Sequence, residues 1–280
     1  MSYGAAPIWR EVSDPGKAIR YVMTGIYHAA VVREWMDPKK ADVQAQAILD
    51  SPHVDWHEGP PRYATLGPKL FRSSLDDYFA ESAVSHWNIR DTLKGDPEEL
   101  FKALELFEQL SPAYSVRPVV YRGRPAAYNR ALVFEAAPKT GDLVEIHEDL
   151  SNVRAYSRLG TEVGGRGLFE ISQTELVLAH NLYLRNIKGQ GTLVMYGHQF
   201  SEQEKRTMDP GIYEEGYPYD EELFKEVPKS VIEVGAGDYL VFRADYPHKV
   251  SNTKEIVSDQ YRVSWNGFFT TVGSSLVYWT

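Results

Sequence analysis

His147 and Asp149 stand two residues apart and offer an imidazole nitrogen and a carboxylate oxygen, donor types that hold a divalent transition metal. They belong to the run Ile146-His147-Glu148-Asp149-Leu150-Ser151, which closes a strand-like stretch beginning near Asp142. A strand sends alternate side chains to opposite faces, so this spacing aims His147 and Asp149 at one spot and Glu148 away from it. Glu148 is therefore expected to be dispensable as a ligand. The pair still lacks a third donor, which must come from far away in sequence.

Composition restricts what that donor can be. The chain has no cysteine, which excludes disulfides, thiolate nucleophiles and cysteine-ligated zinc or iron–sulfur centres, so any metal rests on His, Asp and Glu. Its 280 residues, 43% of them hydrophobic, are expected to form a single domain around one large core. A net charge of -9 argues against a nucleic-acid partner. No apolar run approaches the roughly 18 residues of a membrane span, and the first residues carry no secretory pattern. A cytoplasmic protein with a small-molecule partner, and no membrane partner, is the expectation.

Of the eight histidines, His248 stands in the most telling context besides His147. Gly235-Ala236-Gly237-Asp238 reads as a tight turn, Tyr239-Leu240-Val241-Phe242 as a buried strand, and Tyr246-Pro247-His248 follows at its end. Fourteen residues on (262 - 248 = 14), Arg262-Val263-Ser264 opens another strand, where alternation puts guanidinium and hydroxyl on one face. Arg presents a planar fork that grips a carboxylate bidentately, and a nearby Ser adds a further hydrogen bond. Taken singly, each feature has a plain alternative: a surface His–Asp pair, a capping histidine, an Arg262 that partners a structural carboxylate such as Asp259. His53 and His57 are spaced i, i+4, but Pro52, Pro60 and Pro61 argue against the helix that would align them. His180 and His198 flank strands without a ligand partner at useful spacing and read as core or supporting residues.

Together, His-x-Asp, a distant His and Arg-x-Ser in this order resemble the iron(II)- and 2-oxoglutarate-dependent oxygenases, over roughly residues 118–272. The resemblance implies that His147, Asp149 and His248 ligate Fe(II), and that Arg262 and Ser264 anchor the distal carboxylate of 2-oxoglutarate. It also implies O2 as co-reactant and succinate and carbon dioxide as by-products. Asn181 and Tyr183 share a face of what looks like the family's second barrel strand and face the cosubstrate or iron, plain sheet packing being the equal alternative. Relatives that halogenate carry Gly or Ala at the position of Asp149, so the retained carboxylate implies hydroxylation, with desaturation or cyclisation on the same chemistry. The implied substrate is a small polar metabolite, such as a free amino acid or derivative; Arg130 or Arg72 would suit its carboxylate and acidic residues of an insert a cationic group, although surface solvation explains most such charges. Two other readings stand beside this one. A cupin-type dioxygenase or isomerase that uses no 2-oxoglutarate leaves Arg262-x-Ser264 without a role, and a non-catalytic small-ligand barrel leaves the complete donor set without one.

The elements that must position these residues change character along the chain. Asp14-Pro15 starts an amphipathic helix with apolar residues from Ile19 to Val31, Asp37-Pro38 a second through Leu49, and Leu75–Leu93 a third with Trp87 and Ile89 as core candidates. Ser51–Pro68 reads as irregular, and Asp96-Pro97-Glu98-Glu99 opens a further helix with Leu100, Phe101, Leu104, Phe107 and Leu110 on one stripe. Residues 1–112 are thus expected to be mainly helical. From Arg117 onward short strands are predicted, the clearest being 131–134, 142–147, 175–187, 191–197, 230–234, 238–243 and 261–272. Residues 201–229 form an acidic, tyrosine-rich insert, as expected of a lid or a surface loop. The predicted class is α+β, with N-terminal helices packed on one side of a double-stranded β-helix (a cupin-like jelly roll) over residues 113–280.

Overall fold

The computed structural model describes residues 4–59, 61–71, 73–93, 114–127, 129–135, 141–162 (backbone only from 157), 169–186, 189, 191–208, 212–213, 216–252 and 260–280. It begins with β1 (Trp9–Glu11), α1 (Pro15–Met23), β2 (Ala29–Val32), α2 (Pro38–Leu49), β3 (Asp55–His57), β4 (Tyr63–Leu66) and α3 (Leu75–Thr92). Next come β5 (Ser115–Pro118), β6 (Val120–Tyr121), β7 (Arg124–Pro125), β8 (Arg130–Glu135), β9 (Gly141–His147), α4 (Asp149–Glu162), β10 (Leu178–Arg185) and β11 (Thr192–Tyr196). The last part holds α5 (Glu202–Arg206), β12 (Lys229–Ile232), β13 (Tyr239–Arg243), β14 (His248–Asn252), β15 (Tyr261–Val272) and β16 (Ser275–Trp279).

Two sheets carry the fold. The larger has ten strands, ordered β1-β2-β13-β10-β15-β8-β4-β3, with β16 between β15 and β5; the smaller is β12-β11-β14-β9. Strand alternation sorts the side chains of the larger sheet into two cores. Leu178, Leu182 and Leu184 of β10 pack with Ala18, Ile19 and Val22 of α1 and Ala41, Ala45 and Ile48 of α2. Ala179 and Tyr183, on the opposite face, join Leu193 and Met195 of β11 in the smaller sheet, so the two sheets share this second core. Val194 and Tyr196 of β11 point outward and meet Phe200, Ile212, Tyr219 and Phe224, so the 201–229 insert covers the outer face of the smaller sheet. No helix among the described residues is long and apolar enough to cross a membrane.

The strand at 261–272 has the predicted bounds, and the other strands of the second half differ by a few residues. The first half departs more. The helix expected to reach Val31 stops at Met23, because Gly25 turns at φ +73 and Ala29–Val32, buried on both faces, pairs instead with β13. Residues 51–68, read as irregular, hold the β3–β4 hairpin, and four strands of the first part extend the larger sheet beside its three described helices. Trp87 is 67% exposed while Ile89 is buried, since Tyr78, Phe79, Ser82, Ser85 and Ile89 define the inward face of α3. The helix expected after Asp96-Pro97 lies outside the described residues.

Candidate active site

His147 ends β9 and His248 begins β14, and the two are register partners across the smaller sheet, their ring centroids 4.2 Å apart. Asp149 reaches the same place by a different route from the one strand alternation suggested. The strand stops at His147, and Asp149 is the first residue of α4. The helix starts there because the Glu148 carboxylate accepts from the backbone N–H groups of Leu150 (2.7 Å) and Ser151 (3.0 Å), satisfying donors that a helix N-terminus leaves orphaned. The result brings one ligand atom from each of His147, Asp149 and His248 within 4.8 Å of one another. Glu148 is not part of this group.

The donors suit a divalent metal. Each histidine directs Nδ1 at a backbone carbonyl, His147 at Glu145 O and His248 at Tyr246 O, both 2.8 Å. A carbonyl only accepts, so Nδ1 carries the proton and Nε2 presents its lone pair. Burial, with the charge of His147 adding, holds the His248 pKa well below its ordinary value and so keeps the ring neutral. Burial also pushes the Asp149 carboxyl up to about 6, His147 and Arg130 opposing the shift and Glu148 adding to it. Among the described residues the one ion-pair partner of Asp149 is His248 Nε2, at 3.7 Å. A partly buried carboxylate on a cavity wall, with no Lys or Arg bonded to it among the described residues, fits a metal ligand.

The three residues line a cavity of about 470 Å³ whose other wall belongs to the larger sheet. Arg262 lies in that wall, 3% exposed, its guanidinium 5.0 Å from the Tyr183 ring centroid. Its Nε is buried with no hydrogen-bond partner among the described residues, which fits a carboxylate ligand. Gly191 makes this pose feasible: at φ +59, any Cβ there would overlap Arg262 Cδ and Nε. Ser264, fully buried, stands behind Asn266, whose Nδ2 donates to Asn181 Oδ1 (2.8 Å) and Ser264 Oγ (3.1 Å). Asn181, Tyr183 and Asn266 line the cavity, whereas Ser264 does not.

Arg130 also lines the cavity; burial lowers its pKa, opposed by Tyr78, Asp149 and Tyr63. Arg72 lies outside the described residues. His53 instead bonds Asp91, and His57 stacks on Tyr63, so these two form no metal pair. His180 packs between Tyr239 and Phe269, its pKa lowered to about 3 by burial, as suits a core residue. Among the described acidic residues of the insert, Glu202 pairs with Arg154, Glu204 caps its own helix, and Glu221 holds Lys249.

Sequence reasoning missed Asn266 and Tyr217. Asn266 was accessible to it, since the alternation that singles out Arg262 and Ser264 continues to 266. Tyr217 lines the cavity, donates to Glu145 (2.7 Å) and sets its ring 6.1 Å from that of His147; nothing local in the insert marks it for this position.

No family model matches the chain. A curated L-isoleucine 3(1)-dioxygenase of Pantoea ananatis (strain AJ13355) is 29% identical over 222 residues, which cover 77% of this chain and 69% of the relative. A crystal structure of an N-substituted L-amino acid dioxygenase from Burkholderia ambifaria AMMD is 13% identical with a TM-score of 0.59, covering 100% of both chains. A structure of such a dioxygenase from the same source in complex with alpha-KG gives 14% identity, TM-score 0.55, and coverage of 95% and 91%. At these identities the two structures establish a shared fold.

Proposed function

We propose that the chain is an iron(II)- and 2-oxoglutarate-dependent oxygenase that hydroxylates an unactivated C–H bond of a small polar metabolite, a free amino acid or close derivative, a reading that the 29% identity to a curated L-isoleucine 3(1)-dioxygenase supports. One observation carries this reading. Across a single cavity, three ligand atoms within 4.8 Å of one another face a wall holding a buried guanidinium nitrogen with no hydrogen-bond partner among the described residues.

His147, Asp149 and His248 would hold Fe(II), and Arg262, with Ser264 behind it, would take the distal carboxylate of 2-oxoglutarate. Asn181, Tyr183 and Asn266 line the space between the two ends. Bound iron, with 2-oxoglutarate and O2, supplies the oxidising power and yields succinate and carbon dioxide. The protein's own work is aim, charge matching and exclusion of water. Arg130 would bind a substrate carboxylate, because a buried guanidinium on the cavity wall is stabilised by an anion placed against it. The likeness to an L-isoleucine dioxygenase supports a substrate of amino-acid type. Asp149 favours hydroxylation over halogenation, and desaturation or cyclisation would use the same site. The two sheets form a double-stranded β-helix within one domain over residues 1–280.

Adding 2-oxoglutarate anaerobically to the Fe(II)-loaded protein should produce a weak metal-to-ligand charge-transfer absorption in the visible. Correctly folded, metal-loaded protein without that band would overturn the reading. Screening amino acids for substrate-triggered succinate release then identifies the substrate.

A further inference from the structure

Glu148 contributes no atom to the candidate ligand group, yet both of its carboxylate oxygens are hydrogen-bonded. Its side chain is 1% exposed, and that of its ion-pair partner, Lys205 of α5, 6%. Lys205 Nζ donates to Glu148 Oε1 at 2.8 Å and to Ser151 Oγ at 2.9 Å, while Glu148 Oε2 receives the two N–H groups that start α4. From the other end of the insert, Gly216 O accepts from Glu148 N at 3.0 Å, and Tyr219 N donates to Ile146 O at 2.9 Å. Arg154 of α4 adds a bond to Glu202 of α5 at 2.9 Å. The insert therefore grips positions 146, 148, 151 and 154, on both sides of His147 and Asp149.

From this arrangement we infer that Glu148 and Lys205 are positioning residues: their buried pair locks the insert against the turn that aims Asp149, so that docking of the insert and metal affinity are one coupled equilibrium. The inference rests on the metal site proposed above. A buried ion pair is a weak device for stability alone, because desolvation offsets much of the attraction, but breaking it leaves an uncompensated buried charge and displaces whatever it fastened. Here it fastens the first turn of the helix whose leading residue is Asp149. Partners that orient metal ligands set metal affinity in the same way. Coupling of this kind is reciprocal: if the insert positions the ligand, the metal must hold the insert.

Electrostatics makes the test discriminating. Lys205→Met removes a positive charge near the site, which by itself would tighten cation binding; loss of ligand position loosens it. Gly216→Ala pushes the insert off residue 148 without changing any charge, since at φ +70 an added Cβ would meet the Glu148 backbone oxygen first and lie 2.8 Å from Oε1. Ni(II), redox-stable and bound by the same donor types, is titrated calorimetrically into metal-free protein without 2-oxoglutarate. Lys205→Met and Gly216→Ala should each weaken Ni(II) binding by about 10–100-fold. The double variant Glu148→Gln/Lys205→Met, in which Gln still accepts from the helix N–H groups and no charge is stranded but the fastening pair is gone, should stay weakened; recovery to parent affinity would assign the single variant's loss to a stranded charge and overturn the coupling. In the parent protein, Ni(II) should slow tryptic cleavage after Arg206 or Lys225. Glu170→Gln, which breaks the remote Arg117–Glu170 pair, controls for general destabilisation.

Unchanged or tighter Ni(II) binding in Lys205→Met and Gly216→Ala, or a loss that Glu170→Gln matches, overturns the coupling and leaves the metal site standing. Tryptic cleavage indifferent to Ni(II) also overturns it. If Lys205→Met does not fold, Gly216→Ala and the double variant carry the test. A parent protein that binds no Ni(II), or binds it equally well as His147→Ala, defeats the metal site itself and this inference with it.

Discussion

The two walls of the cavity obey different rules. On the side of the smaller sheet, the candidate metal ligands sit at element ends: His147 closes β9, His248 opens β14 and Asp149 opens α4. On the side of the larger sheet, Asn181 and Tyr183 lie within β10, and Arg262, Ser264 and Asn266 alternate along β15. A pleated strand fixes side-chain direction, which suits a row of groups facing an extended molecule. Three ligands on one face of a metal must arrive from directions that a single pleat does not provide. Element ends, freed from the ladder, supply them, at the cost of needing outside support. The Nδ1 bonds to carbonyls and the Glu148–Lys205 pair are that support.

This contrast can be broken at either wall. Asp149→Gly should have the largest effect, abolishing substrate oxidation and substrate-dependent succinate release while the protein stays folded; retained hydroxylation would remove Asp149 from the ligand set. Next, Arg262→Ala should weaken 2-oxoglutarate binding by roughly 2–5 kcal/mol without altering metal affinity, as read from cosubstrate titration of the charge-transfer band. An unchanged affinity would place the anchor elsewhere. Arg130→Gln should raise the KM for the substrate by about 1.5–3 kcal/mol, the range for a hydrogen bond to a charged group, and leave the affinity for 2-oxoglutarate alone. Gly191→Ala should cost about 1–3 kcal/mol of stability and raise the KM for 2-oxoglutarate, because the new methyl meets Arg262; thermal unfolding and steady-state kinetics would check both.

The smallest effect belongs outside both walls. Burial pushes the Glu170 carboxyl up, but hydrogen bonds from Arg117 and the Val120 N–H, with the Arg117 charge, outweigh it and hold the group below its ordinary value of 4.5. A carboxyl depressed on folding stabilises above its unfolded pKa and loses that contribution as pH falls through the folded value. Glu170→Gln should therefore cost about 1 kcal/mol at pH 7, and the difference from the parent should shrink as pH drops below 4.5. A deficit that persists in acid would mean that packing, not charge, accounts for it.

Legibility in the sequence followed the locality of each cause. Arg262 and Ser264 were readable because period 2 is a property of the strand itself, and Asn266 was missed only by stopping the count early. Asp14-Pro15 and Asp37-Pro38 marked helix starts correctly, each Asp accepting backbone N–H bonds. The strand at Ala29–Val32 was misread because its partner, Tyr239–Phe242, lies about two hundred residues away, and no local pattern tells a strand buried on both faces from a helix face. The helix at Asp149 was missed because the cap that starts it is a glutamate, a residue type that does not advertise an N-cap.

The sequence alone determined which chemistries were open: cysteine-free donors, a His-x-Asp, one more histidine at a strand boundary, and an arginine and serine on one strand face. These are properties of residue type and short spacing, and short spacing survives folding almost unchanged. Tertiary structure decided the rest. It set His248 opposite His147, packed Gly191 against Arg262, and turned Glu148 inward onto a lysine fifty-seven residues away. Such contacts depend on where two sheets and an insert come to rest, and that is governed by burial summed over the whole core rather than by any local run of residues.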